Sequence, residues 1–386
     1  MTKRTPVPFY RHDLGEPEVR AIAEVLAQPI LTTGHVTEAF EKKFAEYLGR
    51  RHALAVTSCT GAMHMSLLAL GIGPGDEVIT TPMTFAATAL AVIEAGATPV
   101  FVDVEADTGN LDARLVEAKI TPRTKAILPV HLYGFMCDMK ALRRAADKHD
   151  LYIIEDAAHC VEGVRDGVRP GELGDTACFS FYATKNLTCG EGGALVTDDP
   201  ELYERLRLIR LHGMTKTAFD RYKEGYKHWD VVLPGWKYNM SNIDAALLLP
   251  QLERLDAKLA KRETLATYYR QKLSSVSGLR VPAVAPSSVH AWHLFCVWIE
   301  GDRRDWMVQE LMARGIEVVV NYRAVHLLEY FRQFDGCKPG NFPIAERIGD
   351  AALSLPFYPD MTREQIDTVV SAVASLLQAP APQATA

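Results

Sequence analysis

The feature that most constrains this chain is an alternation. Over its first two-thirds, short apolar runs that read as strands recur with helix-period segments between them. The strand candidates lie at 53–57, 77–80, 99–103, 126–130, 151–155, 177–181 and 194–197. Among the intervening helical patterns are Met63, Leu67 and Leu70, and Leu142, Ala145 and Ala146. Strands that are apolar on both faces, joined by amphipathic crossovers, pack as a mostly parallel sheet covered on each side. The reading is therefore an α/β fold around a seven-stranded sheet. Before the first strand, Val19, Ile22, Ala23 and Leu26 follow i, i+3, i+4, i+7 spacing and predict an amphipathic helix.

From Asn242 the texture changes. A helical run over 243–273 contains Pro250, which predicts a kink. Strand-like 290–300, helical 307–315, strand-like 316–320 and a last helix over 364–377 follow. This divides the chain into a large domain, 1–250, and a smaller C-terminal α/β domain, 251–386, whose tail 379–386 reads as a flexible end.

Composition excludes several classes. With 48% apolar and 23% charged residues in 386, the chain has ample material for a core. A net charge of −6 argues against affinity built on phosphate neutralisation, so no nucleic-acid partner is expected. No apolar run reaches the ~18 residues of a membrane span. The first residues, though basic, lack the apolar core of a secretory signal. Seven dispersed cysteines without a CxxC pair suggest neither a zinc ribbon nor a disulfide framework, and fit a reducing, cytoplasmic compartment.

Three loops could carry chemistry. TSCTGAMH, Thr57 to His64, follows a strand and opens a helix, so its free N–H groups could cradle an anion; an ordinary N-cap is the plainer reading. IIEDAAHC places Asp156 at the carboxyl end of an apolar strand, where α/β sheets bind ligands. A carboxylate buried there calls for a cation or hydrogen-bond donors, and a solvated acidic loop is the alternative. FSFYATKNLTCGEGG sets Lys185 in a Gly-flanked loop after a strand that ends near Ser180. Most lone lysines are surface charges, but a desolvated one is a nucleophile for an aldehyde. A phosphate cradle, an acid for a ring nitrogen and an amine for an aldehyde together suit one cofactor, pyridoxal 5′-phosphate.

Those motifs, with WKYNMSNIDAA at 236–246, resemble the DegT/StrS family of nucleotide-sugar aminotransferases, from TTG at 32–34 to LPFYPDMT at 355–362. The resemblance implies a fold-type I pyridoxal-phosphate enzyme. It implies that Lys185 links covalently to the cofactor and moves the proton, while Asp156 holds the pyridine nitrogen protonated. His159 would stack on one ring face and Phe85 cover the other. Thr60, Gly61 and Ser180 would bind the phosphate, and Asn239 would reach the phosphate of a neighbouring subunit, making a homodimer the active unit. The short loop ending in GEGG resembles relatives that aminate C4 of a keto-sugar, and HAWHLF and NYRAVH resemble those acting on UDP-linked 4-keto-pentose of the L-arabinose type. Other nucleotide-linked 4-keto-6-deoxy sugars, UDP- or GDP-linked, are the alternative. L-Glutamate and 2-oxoglutarate would be the amino donor pair. His35, Arg323 and His326 are candidates at the substrate mouth. His35 stands where many relatives carry Pro, and Phe85 replaces a Trp. A lyase or dehydratase on the same fold, or a regulator that only binds the cofactor, are the rival classes. His290 and His293 have the spacing of a metal pair but no third ligand nearby, so no metal is expected.

Overall fold

The computed structural model describes residues 6–215, 228–334 and 336–380. The tail assigned above lies outside the described residues from position 381 onward. All seven predicted strands form, within two residues of their expected bounds. They are β1 (His52–Val56), β2 (Glu77–Thr80), β3 (Thr98–Phe101), β4 (Thr124–Leu128), β5 (Tyr152–Asp156), β6 (Thr176–Ser180) and β7 (Gly193–Thr197). They make one sheet in the order β1-β7-β6-β5-β4-β2-β3. The β2–β3, β2–β4, β4–β5 and β5–β6 pairs are parallel, whereas β7 runs antiparallel to both β6 and β1. Only β7 is reversed. Its first residue, Gly193, therefore lies beside the last residues of β1 and β6, Val56 and Ser180. The carboxyl ends of six strands and the start of the seventh share one edge.

The C-terminal part carries a three-stranded sheet, β8 (Leu279–Arg280), β9 (Phe295–Ile299) and β10 (Ala352–Leu355), in the order β10-β9-β8. The long helical run breaks at Glu253–Arg254 into helices Asn242–Leu252 and Leu255–Leu273. Pro250 stays inside the first of these, and the break follows it by three residues. Two strand predictions need correcting. The 290–300 run is a strand only from Phe295, and 316–320 makes only isolated bridges, Ile316 to Val7 and Val319 to Ser354. Val7 also packs in the core of the C-terminal sheet and helices, so the first described residues join that part and not the large sheet.

The two parts share contacts of real specificity. The Asp103 carboxylate, after β3, accepts the Ile344 and Ala345 N–H groups at 3.1 and 2.9 Å, capping helix Pro343–Ala351 where the helix dipole favours an anion. Met83, Phe101 and Tyr133 pack with Leu294, Trp298 and Phe342 in one apolar cluster.

Helix Glu16–Leu26 forms as predicted, but not with the predicted face inward. Val19 and Leu26 are about 60% exposed, while Glu18 and Val25 are buried. Glu18 turns in because its carboxylate is satisfied twice, by the Arg254 guanidinium at 2.9 Å and the Gly15 N–H at 2.8 Å. Periodicity counts only apolar residues and misses a buried acid that has partners.

Beneath the shared edge, His131 and Glu155 form a fully buried pair, Nε2 to Oε2 at 2.8 Å. His131 Nδ1 accepts the Cys137 N–H at 3.2 Å, so Nε2 carries the proton donated to Glu155. Glu155 also accepts the Gly171 N–H at 3.0 Å. Replacing Glu155 by Ala strands two buried donors. We expect Glu155→Ala to lower unfolding free energy by about 2–5 kcal/mol, read from urea unfolding of the full chain.

Candidate active site

The site forms along the shared strand edge, and β5 supplies its acid. Asp156 is its last residue and is 5% exposed. Its Oδ2 accepts the Thr88 hydroxyl at 2.7 Å and its Oδ1 the Ala158 N–H at 3.1 Å. Thr84 lies 2.7 Å from Thr88; because Thr88 spends its one proton on Asp156, Thr84 is the donor between them. Burial raises the Asp156 pKa, opposed first by the Thr88 hydroxyl, then by the Ala158 N–H and the Lys185 charge. This is a carboxylate held in a dry place with capacity left for a cation.

Lys185 follows β6 in the loop 181–192. Burial of its amine lowers its pKa from 10.5 to about 8, although Asp156 and Cys59 pull the other way. Its Nζ lies 3.5 Å from His293 Nε2. A lysine tuned toward neutrality, coupled electrostatically to a buried acid, is a nucleophile rather than a surface charge.

The third element is the start of helix Cys59–Ala69. Ser58 caps it, its Oγ accepting the Gly61 N–H at 3.0 Å. Cys59 and Thr60 N–H groups have no acceptor within a helix at this position. Gly193 explains how this helix start reaches the edge. A Cβ on Gly193 would lie 2.5 Å from the Cys59 nitrogen and 2.5 Å from the Ser58 carbonyl carbon. The last glycine of GEGG is thus the clearance that admits the anion-binding helix start. Ser180, paired with Gly193 in the sheet, sits beside it and accepts the Tyr182 N–H at 3.4 Å.

His159 is buried. Its Nδ1 accepts the Tyr133 N–H at 3.2 Å and its Nε2 meets the Tyr322 hydroxyl at 3.1 Å. Burial, then the Lys185 charge, push its pKa well below the usual histidine range. The neutral ring must then carry its proton on Nε2 and donate to Tyr322. Its ring lies 4.6 Å from that of His293 and 6.0 Å from that of Tyr322. Phe85 is 63% exposed at the rim, 6.0 Å from the Tyr322 ring.

The remaining candidates separate. Asn239 is engaged within its own chain, donating to Thr33 Oγ1 at 2.7 Å and accepting from Lys237 Nζ at 2.7 Å. His35 begins helix His35–Leu48 and lines a shallow pocket with Glu24 and Gln28. Arg323 is exposed. His326 is withdrawn as a substrate contact: it is fully buried, packed edge-on against Phe342 and bonded to Glu346 at 3.0 Å. The His290/His293 pair also splits. His290 is stacked between Phe135 and Trp292 while His293 faces Lys185.

Sequence reasoning missed Thr88, Tyr322 and His293. Thr88 had a signal, since TFAAT places it three residues after Phe85. Tyr322 and His293 come from the distant C-terminal part and had none beyond their own motifs.

Tested against this geometry, the residues fit pyridoxal phosphate. Asp156 offers a buried anion to a ring cation, Lys185 an amine of lowered pKa, and the helix start its N–H groups to a phosphate. Comparison with known proteins agrees. The model of the DegT/DnrJ/EryC1/StrS aminotransferase family matches residues 12–374. The spore coat polysaccharide biosynthesis protein SpsC of Bacillus subtilis is 42% identical over 378 residues, 96% of this chain and 97% of that protein. The structure of DesV from S. venezuelae superposes with a TM-score of 0.86 at 40% identity, covering 94% of this chain and 95% of that one. Spr1654 from Streptococcus pneumoniae, solved in PLP and PMP forms, superposes with a TM-score of 0.90 at 30% identity; its PLP form covers 97% of this chain and 99% of that one.

Two outcomes follow from the geometry. Gly193→Ala must push the helix start away or distort β7, so we expect cofactor retention to fall at least tenfold, measured by absorbance titration of the purified chain; overpacking of this kind costs about 1–3 kcal/mol. The Lys185 amine should lose its proton through about pH 8. Cofactor uptake by the stripped protein should accordingly rise through that pH, and not near the ordinary 10.5, in stopped-flow absorbance.

Proposed function

Since this chain belongs to the DegT/DnrJ/EryC1/StrS aminotransferase family and is a pyridoxal-phosphate-dependent sugar aminotransferase, we propose that it transfers an amino group from L-glutamate to C4 of a nucleotide-linked 4-keto sugar. The observation that carries this is the pairing of Lys185, lowered to about 8, with buried Asp156 at one strand edge. The cofactor, when bound, supplies an electron sink for the carbon that loses its proton. The chain's residues do the rest. Asp156 holds a positive charge at the ring nitrogen, Thr88 and Thr84 keep that carboxylate oriented, and the Cys59–Thr60 helix start binds the phosphate. Lys185 as the neutral amine would accept a proton at Nζ from the amino-bearing carbon and return it to the carbon on the far side of the nitrogen, two atoms away. His159, fixed by Tyr133 and Tyr322, closes one side against water.

The C4 position is supported by the short GEGG loop, and a UDP-linked keto-pentose by the HAWHLF and NYRAVH motifs. The name of the SpsC relative supports a place in surface-glycan synthesis. We assign the active unit as a homodimer with shared sites. Phe85 and Tyr182, large and exposed at the site's own rim, support a covering partner. Seven free, buried cysteines support a reducing compartment such as the cytoplasm. The division into domains 1–250 and 251–386 is supported by the two separate sheets, with the segment at Val7, which packs on the C-terminal part, as its exception.

Borohydride reduction followed by peptide mapping should place the pyridoxyl label on Lys185, and a label on another lysine overturns the assignment. Asp156→Asn should slow the glutamate half-reaction by roughly 10²-fold or more in single-turnover absorbance, because one charge-assisted contact in a dry site is lost. A panel of nucleotide 4-amino sugars with 2-oxoglutarate, read by mass spectrometry, identifies the sugar; reaction of none removes the C4 assignment. Mixing Lys185→Ala and Asn239→Ala subunits should restore activity if Asn239 serves the neighbouring site.

A further inference from the structure

His293 lies at the Lys185 amine and has no role in the reading above. Its Nε2 is 3.5 Å from Nζ, its residue is 7% exposed, and its buried Nδ1 has no hydrogen-bond partner among the described residues. The distance is at the long end for a hydrogen bond, as catalytic contacts are before substrate binds.

The fold fixes this histidine closely. The preceding Trp292 holds a left-handed conformation, φ +47°, with its N–H on His290 Nδ1 at 2.8 Å. The Ala291 N–H donates to the Gly134 carbonyl at 2.8 Å, and a Cβ on Gly134 would come within 3.0 Å of the Trp292 nitrogen. Asn186, adjacent to Lys185, donates to the Ala291 carbonyl at 2.8 Å. One amide thus clamps the lysine loop to the histidine segment. A bulky residue held in left-handed geometry is a local cost that persists only where the surroundings impose it.

We propose that His293 is a positioning residue for Lys185, its neutral imidazole holding the amine in both protonation states by exchanging which ring nitrogen carries the proton. This rests on Lys185 being the cofactor-binding amine. With Lys185 as ammonium, an N–H donates to Nε2 and the ring proton sits on Nδ1. With Lys185 neutral, the ring proton sits on Nε2 and donates to the Nζ lone pair. Between the two, one proton leaves the pair to solvent water, and the ring stays neutral throughout. Burial and the neighbouring Lys185 charge keep His293 well below its ordinary range, which excludes an imidazolium beside the ammonium. The consequence for the reaction is a flexible four-carbon tail kept aimed while its charge changes.

The test compares the full chain stripped of cofactor with its His293→Leu and His293→Asn variants. Lys185 labelling by trinitrobenzenesulfonate is followed against pH by peptide mass spectrometry. In His293→Leu the ammonium loses a charge-assisted acceptor, so the midpoint should fall by about one unit and labelling below it rise about tenfold. His293→Asn, which keeps an acceptor, should lie closer to the unaltered chain. In the loaded enzyme, His293→Leu should lower kcat with little change in KM for glutamate. Superimposable labelling profiles would overturn the proposal. Should His293→Leu not fold, ¹⁵N-histidine NMR of the unaltered chain decides: the ring proton should change nitrogen through the Lys185 transition, and a fixed tautomer or an imidazolium overturns it. Cofactor attached to a different lysine would defeat the underlying assignment, whereas normal attachment with superimposable profiles defeats only the role of His293.

Discussion

Desolvation of two opposite charges at one sheet edge is the constraint on which the site depends. Asp156 is pushed toward its neutral form and Lys185 toward its own, and each partly restores the other's charge. Neither group would be tolerated there alone at its ordinary ionisation. The surrounding donors are arranged unevenly. Thr88 and the Ala158 N–H satisfy Asp156, whereas Lys185 meets a single long contact to a neutral ring. The acid is therefore held by two donors, and the amine is aimed by one longer contact that leaves it able to react. That asymmetry suits a cofactor whose ring nitrogen wants a fixed anion and whose aldehyde wants an aimed but reactive amine.

The reversal of β7 makes this edge usable. In an all-parallel sheet the edge would collect only strand ends followed by helices. Because β7 enters from the same side, a glycine at its start can lie under a helix start, and Gly193 has space for nothing larger than hydrogen against Ser58 and Cys59. The anion-binding N–H groups are thereby brought to the same edge as Ser180 and Asp156, the last residues of the two neighbouring strands.

How far the sequence reveals this depends on the kind of interaction. The large sheet was legible because its strands are mainly apolar, and so were the loops after β1, β5 and β6, since each follows a strand directly. The inward face of helix Glu16–Leu26 was not. Glu18 is buried through Arg254, which lies 236 residues away, and no periodicity encodes such a pair. His326 shows the reverse error: NYRAVH reads as a polar loop, yet Glu346 and Phe342 enclose its ring. His293 and Tyr322 escaped for a related reason. Both reach the site only because the C-terminal part packs on the large sheet through Tyr133 and the Asp103-capped helix, a docking that no local pattern announces.

That docking is itself electrostatic as much as apolar. Along helix Leu255–Leu273, Lys258 pairs with Asp13 at 2.7 Å, and Arg262 lies 4.0 Å from Glu162, with Arg254 and Glu18 paired just ahead of the helix. Both oxygens of Glu162 accept from Asn186 Nδ2, at 3.0 and 3.1 Å, and Glu263 accepts the Trp292 indole N–H. One helix therefore grips the N-terminal segment, the residue next to Lys185 and the residue next to His293. Buried ion pairs of this kind add little net stability over apolar packing, because desolvation offsets their attraction. What they impose is geometry: a shift of the helix would leave Glu162 or Arg262 buried and unpaired. The lysine loop and the histidine segment, which lie 108 residues apart in the sequence, are thereby held in register by the same constraint.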